Sequence, residues 1–233
     1  MNVSSFLRLC TPPIVAIIYR KLRGKMNLSN NIYRPRDGSK QELDIYWSED
    51  MAHQLENWGK GNAWNEIECL LVNCNGKILD IACGTGVNIM LMSRFKQLDL
   101  YGFDISDYLI RKAIDKGIEA SRLSVQDATK TNFKDNEFDY SYSIGSLEHF
   151  TESGIESFLK ESSRFTSRAS FHMIPVSESQ KNEGWMRTNQ SFHNNSIEWW
   201  LERFRRYFSN VYVIDSAWQQ PGLSVGRWFI CIK

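Results

Sequence analysis

Three aspartates and a pair of glycines stand in a fixed relation to short apolar runs. Lys77-Ile78-Leu79-Asp80-Ile81 leads directly into Ala82-Cys83-Gly84-Thr85-Gly86, Leu98 to Phe103 ends in Asp104, and Leu123 to Gln126 ends in Asp127. Glycine lets backbone approach a ligand closely, and the N-terminus of a following helix offers free N–H groups to a carboxylate or phosphate. An acid at the end of a second strand suits a ribose diol. Gly-x-Gly alone specifies little. The dinucleotide fingerprint needs a glycine or alanine three residues after the second glycine, where Ile89 stands, and no Gly-Lys-Ser/Thr follows to make a phosphate loop. Glu148, His149 and His193 are the candidate acid–base groups, because a neutral imidazole near pH 7 can accept a proton.

The elements that would carry these residues alternate. Strands are expected at 77–81, 98–103, 123–126, 138–144 and 169–174. Helical periodicity runs from Val87 to Phe95, from a cap at Ser106 or Asp107 to about Gly117, and from Thr151 to about Phe165. Strands alternating with helices of this length imply right-handed crossovers and a parallel sheet, with ligands at the carboxyl ends of its strands. Past Pro175 the alternation stops. Residues 175–195 read as polar and irregular, Ser196 to Tyr207 as a helix, and Val211–Ile214 and Trp228–Ile232 as two antiparallel closing strands joined through Pro221-Gly222. His172, inside the fifth strand, reads as a core residue.

The stretch from Lys77 to Gly86 resembles the first motif of class I S-adenosylmethionine-dependent methyltransferases. Asp104 in Tyr101-Gly102-Phe103-Asp104-Ile105-Ser106, Asp127 in Val125-Gln126-Asp127-Ala128, and Phe138-Asp139-Tyr140 followed by Ser146-Leu147-Glu148-His149-Phe150 keep that family's order and spacing. The resemblance implies a Rossmann-like, doubly wound α/β fold, with a mostly parallel seven-stranded sheet and an antiparallel last strand. It implies S-adenosylmethionine as cofactor and S-adenosylhomocysteine as product. Asp80 and the backbone of Ala82, Gly84 and Gly86 would hold the methionine end, Asp104 with Ile105 the ribose, and Asp127 with Ala128 the adenine. Gly145 or Ser146 would lie near the sulfur. Trp58, in a segment that closes over the cofactor in such relatives, would add an aromatic face for the sulfonium; packing of a helical cover is the alternative. His149 would act as base for an oxygen acceptor, with Glu148 orienting base or cofactor, or would only pack over the site. Arg187, Asn189, Gln190 and His193 fall where many methyltransferases insert acceptor-binding elements, and could equally form a solvated loop.

Composition frames this reading. The chain has 233 residues, 42% hydrophobic and 24% charged, ordinary for a globular protein and too apolar for disorder. Its net charge of +1 hides an asymmetry: seven bases and no acid lie between Met1 and Arg36, leaving 21 bases against 27 acids in the remainder. The expected organisation is a basic arm or lid over 1–40, opening a helix at Pro12-Pro13, and a methyltransferase domain over 41–233, with its core at 76–175 and an acceptor cap at about 176–208. The apolar run Ile14–Tyr19 is too short for a bilayer span or a signal peptide. The arm could cover an anionic acceptor or dock on a membrane surface or partner; a nucleic-acid footprint would need a larger basic face. Five scattered cysteines without a CxxC pair indicate neither a metal site nor disulfides, and a reduced, cytoplasmic setting is expected. The expected acceptor is a small polar molecule such as a sugar or surface-polysaccharide precursor, methylated on oxygen. A lipid or quinone acceptor, or a non-catalytic cofactor-binding subunit, are the alternatives.

Overall fold

The computed structural model describes residues 41–233; the arm expected over 1–40 lies outside the described residues. Seven strands form one sheet: β1 (Gly76–Ile81), β2 (Leu98–Asp104), β3 (Leu123–Val125), β4 (Phe138–Ile144), β5 (Thr166–Ser177), β8 (Asn210–Gln220) and β9 (Ser224–Ile232). Their spatial order is β3-β2-β1-β4-β5-β9-β8. The first five run parallel, and β9 inserts antiparallel between β5 and β8. This is the expected doubly wound sheet with an antiparallel last strand.

Helices cover both faces. On one side α2 (Ala63–Leu71), α3 (Val87–Met92) and α4 (Asp107–Asp115) pack Ile67, Leu71, Ile89, Met92 and Ile110 against Ile78, Leu100 and Trp228. On the other, α5 (Glu152–Phe165) and α6 (Ile197–Phe204) pack Phe158, Leu159, Trp200 and Phe204 against Leu79, Ile81, Phe103 and Phe229. Successive β1 residues face opposite layers, Ile78 to the first and Leu79 to the second, which follows from the two-residue period of a strand. Hydroxyl caps set where helices begin: Ser106, Thr151 and Ser196 accept from the N–H groups of Leu109, Gly154 and Trp199. A preceding helix, α1 (Glu49–Leu55), is capped in the same way by Ser48.

The structure departs from expectation past Ile174. The fifth strand does not stop at Pro175 but runs on to Ser177, paired with β9. β4 ends opposite Met173, so beyond that point β5 has a neighbour on one side only, where a strand tolerates proline. Residues 175–195 are not wholly irregular either: β6 (Trp185–Met186) and β7 (Phe192–His193) form a small separate hairpin. The closing strands are longer than expected because a register shift between Asp215 and Gln219 interrupts the alternation. There α2 supplies the missing partner, as Glu66 accepts from Ser216 Oγ and the Ala217 N–H as well as from Trp228 Nε1.

His172 is fully buried among hydroxyls, with Nδ1 2.8 Å from Ser143 Oγ and Nε2 2.8 Å from Ser170 Oγ, and against the Phe204 ring. Burial depresses it to about 3, so it stays neutral in the core. Phe229 sits at the centre of the same layer, stacked on Phe204 at 4.9 Å. Phe229→Ala is therefore expected to cost about 3–5 kcal/mol, read as a lowered midpoint in urea denaturation with a native-like spectrum retained.

Candidate active site

At the carboxyl end of β1 the chain turns sharply. Ala82, Gly84 and Gly86 all have positive φ, at 57°, 54° and 73°. A side chain at Gly86 would run into Ile118 and Ala113, so glycine there serves the packing of the loop on α4 as well as its turn. The loop is fastened to the next strand: Asp104 Oδ2 accepts from the Gly84 N–H at 2.9 Å, and Oδ1 accepts from the Ser106 N–H at 2.9 Å. Asp104 is 5% exposed, and burial pushes it up to about 6 despite these amide bonds.

A cavity of about 360 Å³ opens beside this junction. Of the residues expected to hold a cofactor, Ala82, Asp104, Ile105, Asp127, Ala128 and Gly145 line it; Asp80, Gly84, Gly86 and Trp58 do not. Asp80 is buried behind the loop beside Tyr142, its register partner on β4, and burial holds it well above the usual carboxylate range. Trp58 packs on Gly145, where a Cβ would fall 2.7 Å from its ring, and lies 5.6 Å from Trp218. Asp127 accepts from the N–H and hydroxyl of Thr129, a local turn that leaves its other oxygen free.

The residues present suit S-adenosylmethionine. Asp80 Oδ2, Thr85 Oγ1 and Asn88 Oδ1 are buried around the glycine loop without hydrogen-bond partners in the protein, as groups for an amino-acid moiety would be. Along the cavity follow Asp104, for a diol, and the wall formed by Ile105, Ala128 and Phe103, for a flat base.

Beyond Gly145 the backbone makes a 3-10 turn, Leu147–His149, carrying two of the three acid–base candidates, Glu148 and His149. Neither lines the cavity, but their neighbours Ser146 and Phe150 do. His149 donates its Nδ1–H to the Ser191 carbonyl at 2.8 Å, which leaves Nε2 as the lone-pair nitrogen, 3.6 Å from Glu148 Oε1. Burial lowers His149 to about 4 and raises Glu148 to about 8, so both are neutral at pH 7. His193 stands further back, boxed between Trp185 at 4.7 Å and Trp199 at 5.1 Å, and is also held at about 4 by burial. Arg187 and Asn189 are exposed and outside the cavity; Gln190 lines it.

Several lining residues carried no signal in the sequence. Tyr46, on a 3-10 turn at Asp44–Trp47, enters from the N-terminal side. Its carbonyl accepts from Ser106 Oγ, and its hydroxyl accepts from Gln190 Nε2 at 2.7 Å. Glu42 accepts from both the N–H and the hydroxyl of Ser191. These ties span more than 140 residues, and only the fold could reveal them. Leu55 covers Gly84 at the mouth.

Glu148 gives the site a pH signature. A carboxyl raised on folding contributes its full stability below its unfolded value of 4.5 and loses it as pH rises through about 8. Glu148→Gln, neutral at all pH, should match the wild type in melting temperature at pH 5 and exceed it by about 5 °C at pH 9.

Comparison with known proteins agrees with this geometry. Residues 78–168 match a family model described as a methyltransferase domain. Phosphoethanolamine N-methyltransferase 3 of Arabidopsis thaliana is 33% identical over 79 residues, which are 33% of this chain and 16% of that protein, so the chain spans a small part of this relative. A methyltransferase solved in complex with the Trm112 activator of Haloferax volcanii superposes with a TM-score of 0.64 at 13% identity, over 83% of this chain and 98% of that one. Haemonchus contortus phosphoethanolamine N-methyltransferase 2, solved with phosphomonomethylethanolamine and S-adenosylhomocysteine, does so with a TM-score of 0.62 at 17% identity, over 82% and 59%. Residues 78–168 thus match a methyltransferase-domain model, and the chain shares the fold of methyltransferases of solved structure.

Proposed function

We propose that the protein transfers a methyl group from S-adenosylmethionine to an oxygen of a small, polar, uncharged acceptor such as a sugar or surface-polysaccharide precursor. The observation that supports this acceptor is the chemistry of the other residues that line the cavity with the strand-end acids. Tyr46, Ser146, Thr151, Ser153, Ser157 and Gln190 offer hydroxyls and an amide, and among the described lining residues there is no lysine or arginine. Such groups suit a polyol by multiple hydrogen bonds; a phosphorylated acceptor would call for a cation.

Bound in this cavity, the cofactor supplies a methyl group already activated by sulfonium. The protein's tasks are then alignment and exclusion of water. Asp104, Asp127 and the backbone about Gly84 hold the donor. Gln190 and Tyr46 close the acceptor end, and Ser146 lies between. His149, neutral and fixed in one tautomer by the Ser191 carbonyl, would hold the acceptor's proton at Nε2, 3.6 Å from Glu148 Oε1.

The relatives' names favour a second reading, N-methylation of a phosphoethanolamine-like amine, and the apolar lining residues Leu43, Leu55 and Phe150 a third, a lipid or quinone. Labelled cofactor incubated with nucleotide sugars, phosphoethanolamine and a short-chain quinone separates them, with label expected in a sugar only. Label in phosphoethanolamine or quinone alone would replace the acceptor assignment. Binding without label in any of them, alone or with an activator protein added, would favour a cofactor-binding subunit. Asp104→Ala should weaken S-adenosylhomocysteine binding at least about tenfold in calorimetry, a loss of one charge-assisted contact or more; unchanged affinity would remove Asp104 from the cofactor site.

A further inference from the structure

Glu148 is a buried carboxyl without compensation. It is 2% exposed, its Oε2 has no hydrogen-bond partner, and its Oε1 lies 3.6 Å from the unprotonated nitrogen of His149. The elements packed around its turn bring no cation to it. The N-terminal turn brings Tyr46, whose phenol burial keeps protonated. β7 brings His193 and β5 brings His172, both neutral and both held among other groups. α5 brings Glu152, already paired with Arg203 of α6. A carboxyl so placed is poorly tolerated as an anion unless a positive charge arrives from outside. Ser146 and Phe150, two residues to either side of Glu148 in the chain, line the adjoining cavity, and that is where such a charge would come.

We propose that Glu148 is a charge-reading residue of the cofactor site, which gives up its proton when the sulfonium form of the cofactor binds and recovers it when the neutral thioether product is left. This rests on the reading of the cavity as the S-adenosylmethionine site. With no cation beside it, burial holds Glu148 at about 8, so at pH 7.5 most molecules carry the proton. A nearby cation favours the carboxylate, and the released proton leaves to solvent. Substrate and product differ only by the methyl group and the charge on sulfur, so shape can discriminate little between them. An acid that ionises only for the cation would favour the substrate and ease product release.

Other groups do not imitate the effect. Asp104, at about 6, is mostly ionised at pH 7.5. Asp80, near the glycine loop, would answer the amino and carboxylate groups that both ligands share, so its contribution cancels in their difference.

Isothermal titration of the full chain with S-adenosylmethionine and with S-adenosylhomocysteine, at pH 7.5 in buffers of different ionisation enthalpy, counts the protons. The expected result is release of roughly half a proton more for S-adenosylmethionine than for S-adenosylhomocysteine. Glu148→Gln, of the same shape, should abolish that difference and shrink the preference for S-adenosylmethionine about threefold at pH 7.5, the effect there of a one-unit pKa shift from about 8. Equal proton release for the two ligands, or a difference that survives in Glu148→Gln, would overturn the role of Glu148 while leaving the cofactor site intact. Binding of neither ligand by folded protein would overturn the site reading and this proposal with it.

Discussion

The Asp104 carboxylate joins two pieces of chain that are otherwise separate. One oxygen takes the N–H of Gly84 in the loop after β1, the other the N–H of Ser106 in the turn after β2. Ser106 in turn starts α4 with its hydroxyl and lends that same hydroxyl to the Tyr46 carbonyl. Through one side chain, then, the glycine loop, the second strand, the fourth helix and the N-terminal turn share a common position. The cost is a carboxylate at 5% exposure, which the amide bonds only partly offset, since it remains raised to about 6. A group held in that way keeps hydrogen-bonding capacity at the cavity edge.

Legibility in the sequence follows from how local each cause is. The strands β1, β2 and β4 could be read to within a residue or two, because aliphatic and aromatic residues recur through each of them between turn signals. The glycine loop and the strand-end aspartates were readable because backbone geometry and topology dictate their types and places. The end of β5 was not, since proline usually marks a stop and only the early end of β4 makes it permissible here. The β6–β7 hairpin has two residues in each strand, too few for any pattern to register.

The site divides along the same line. Ala82, Asp104, Ile105, Asp127, Ala128 and Gly145 were found from motif context, and they line the cavity. Tyr46 and Glu42 were not found, because their partners Gln190 and Ser191 are distant in sequence and no spacing rule relates them. His193 illustrates the opposite error of inference: a histidine in a polar stretch reads as a ligand-facing group, yet its neighbours Phe192 and Trp185 draw it into an aromatic box with Trp199. A single apolar contact across a short hairpin outweighs the polarity of the surrounding loop.

The two ends of the cavity therefore follow different physical rules. The end by the glycine loop is made of backbone and strand-end carboxylates fixed by the sheet, and its geometry follows from topology. At the other end one N-terminal turn and one hairpin loop are held together by three long-range hydrogen bonds involving Gln190 and Ser191. Those bonds also set the acid–base pair, because the Ser191 carbonyl that Glu42 helps to position is the one that fixes the His149 tautomer. The segment entering at Gln41 thus helps to orient His149 without touching the imidazole. Changes in the N-terminal turn would shift Gln190 and His149 together, while the glycine loop, anchored by Asp104, would hardly register them.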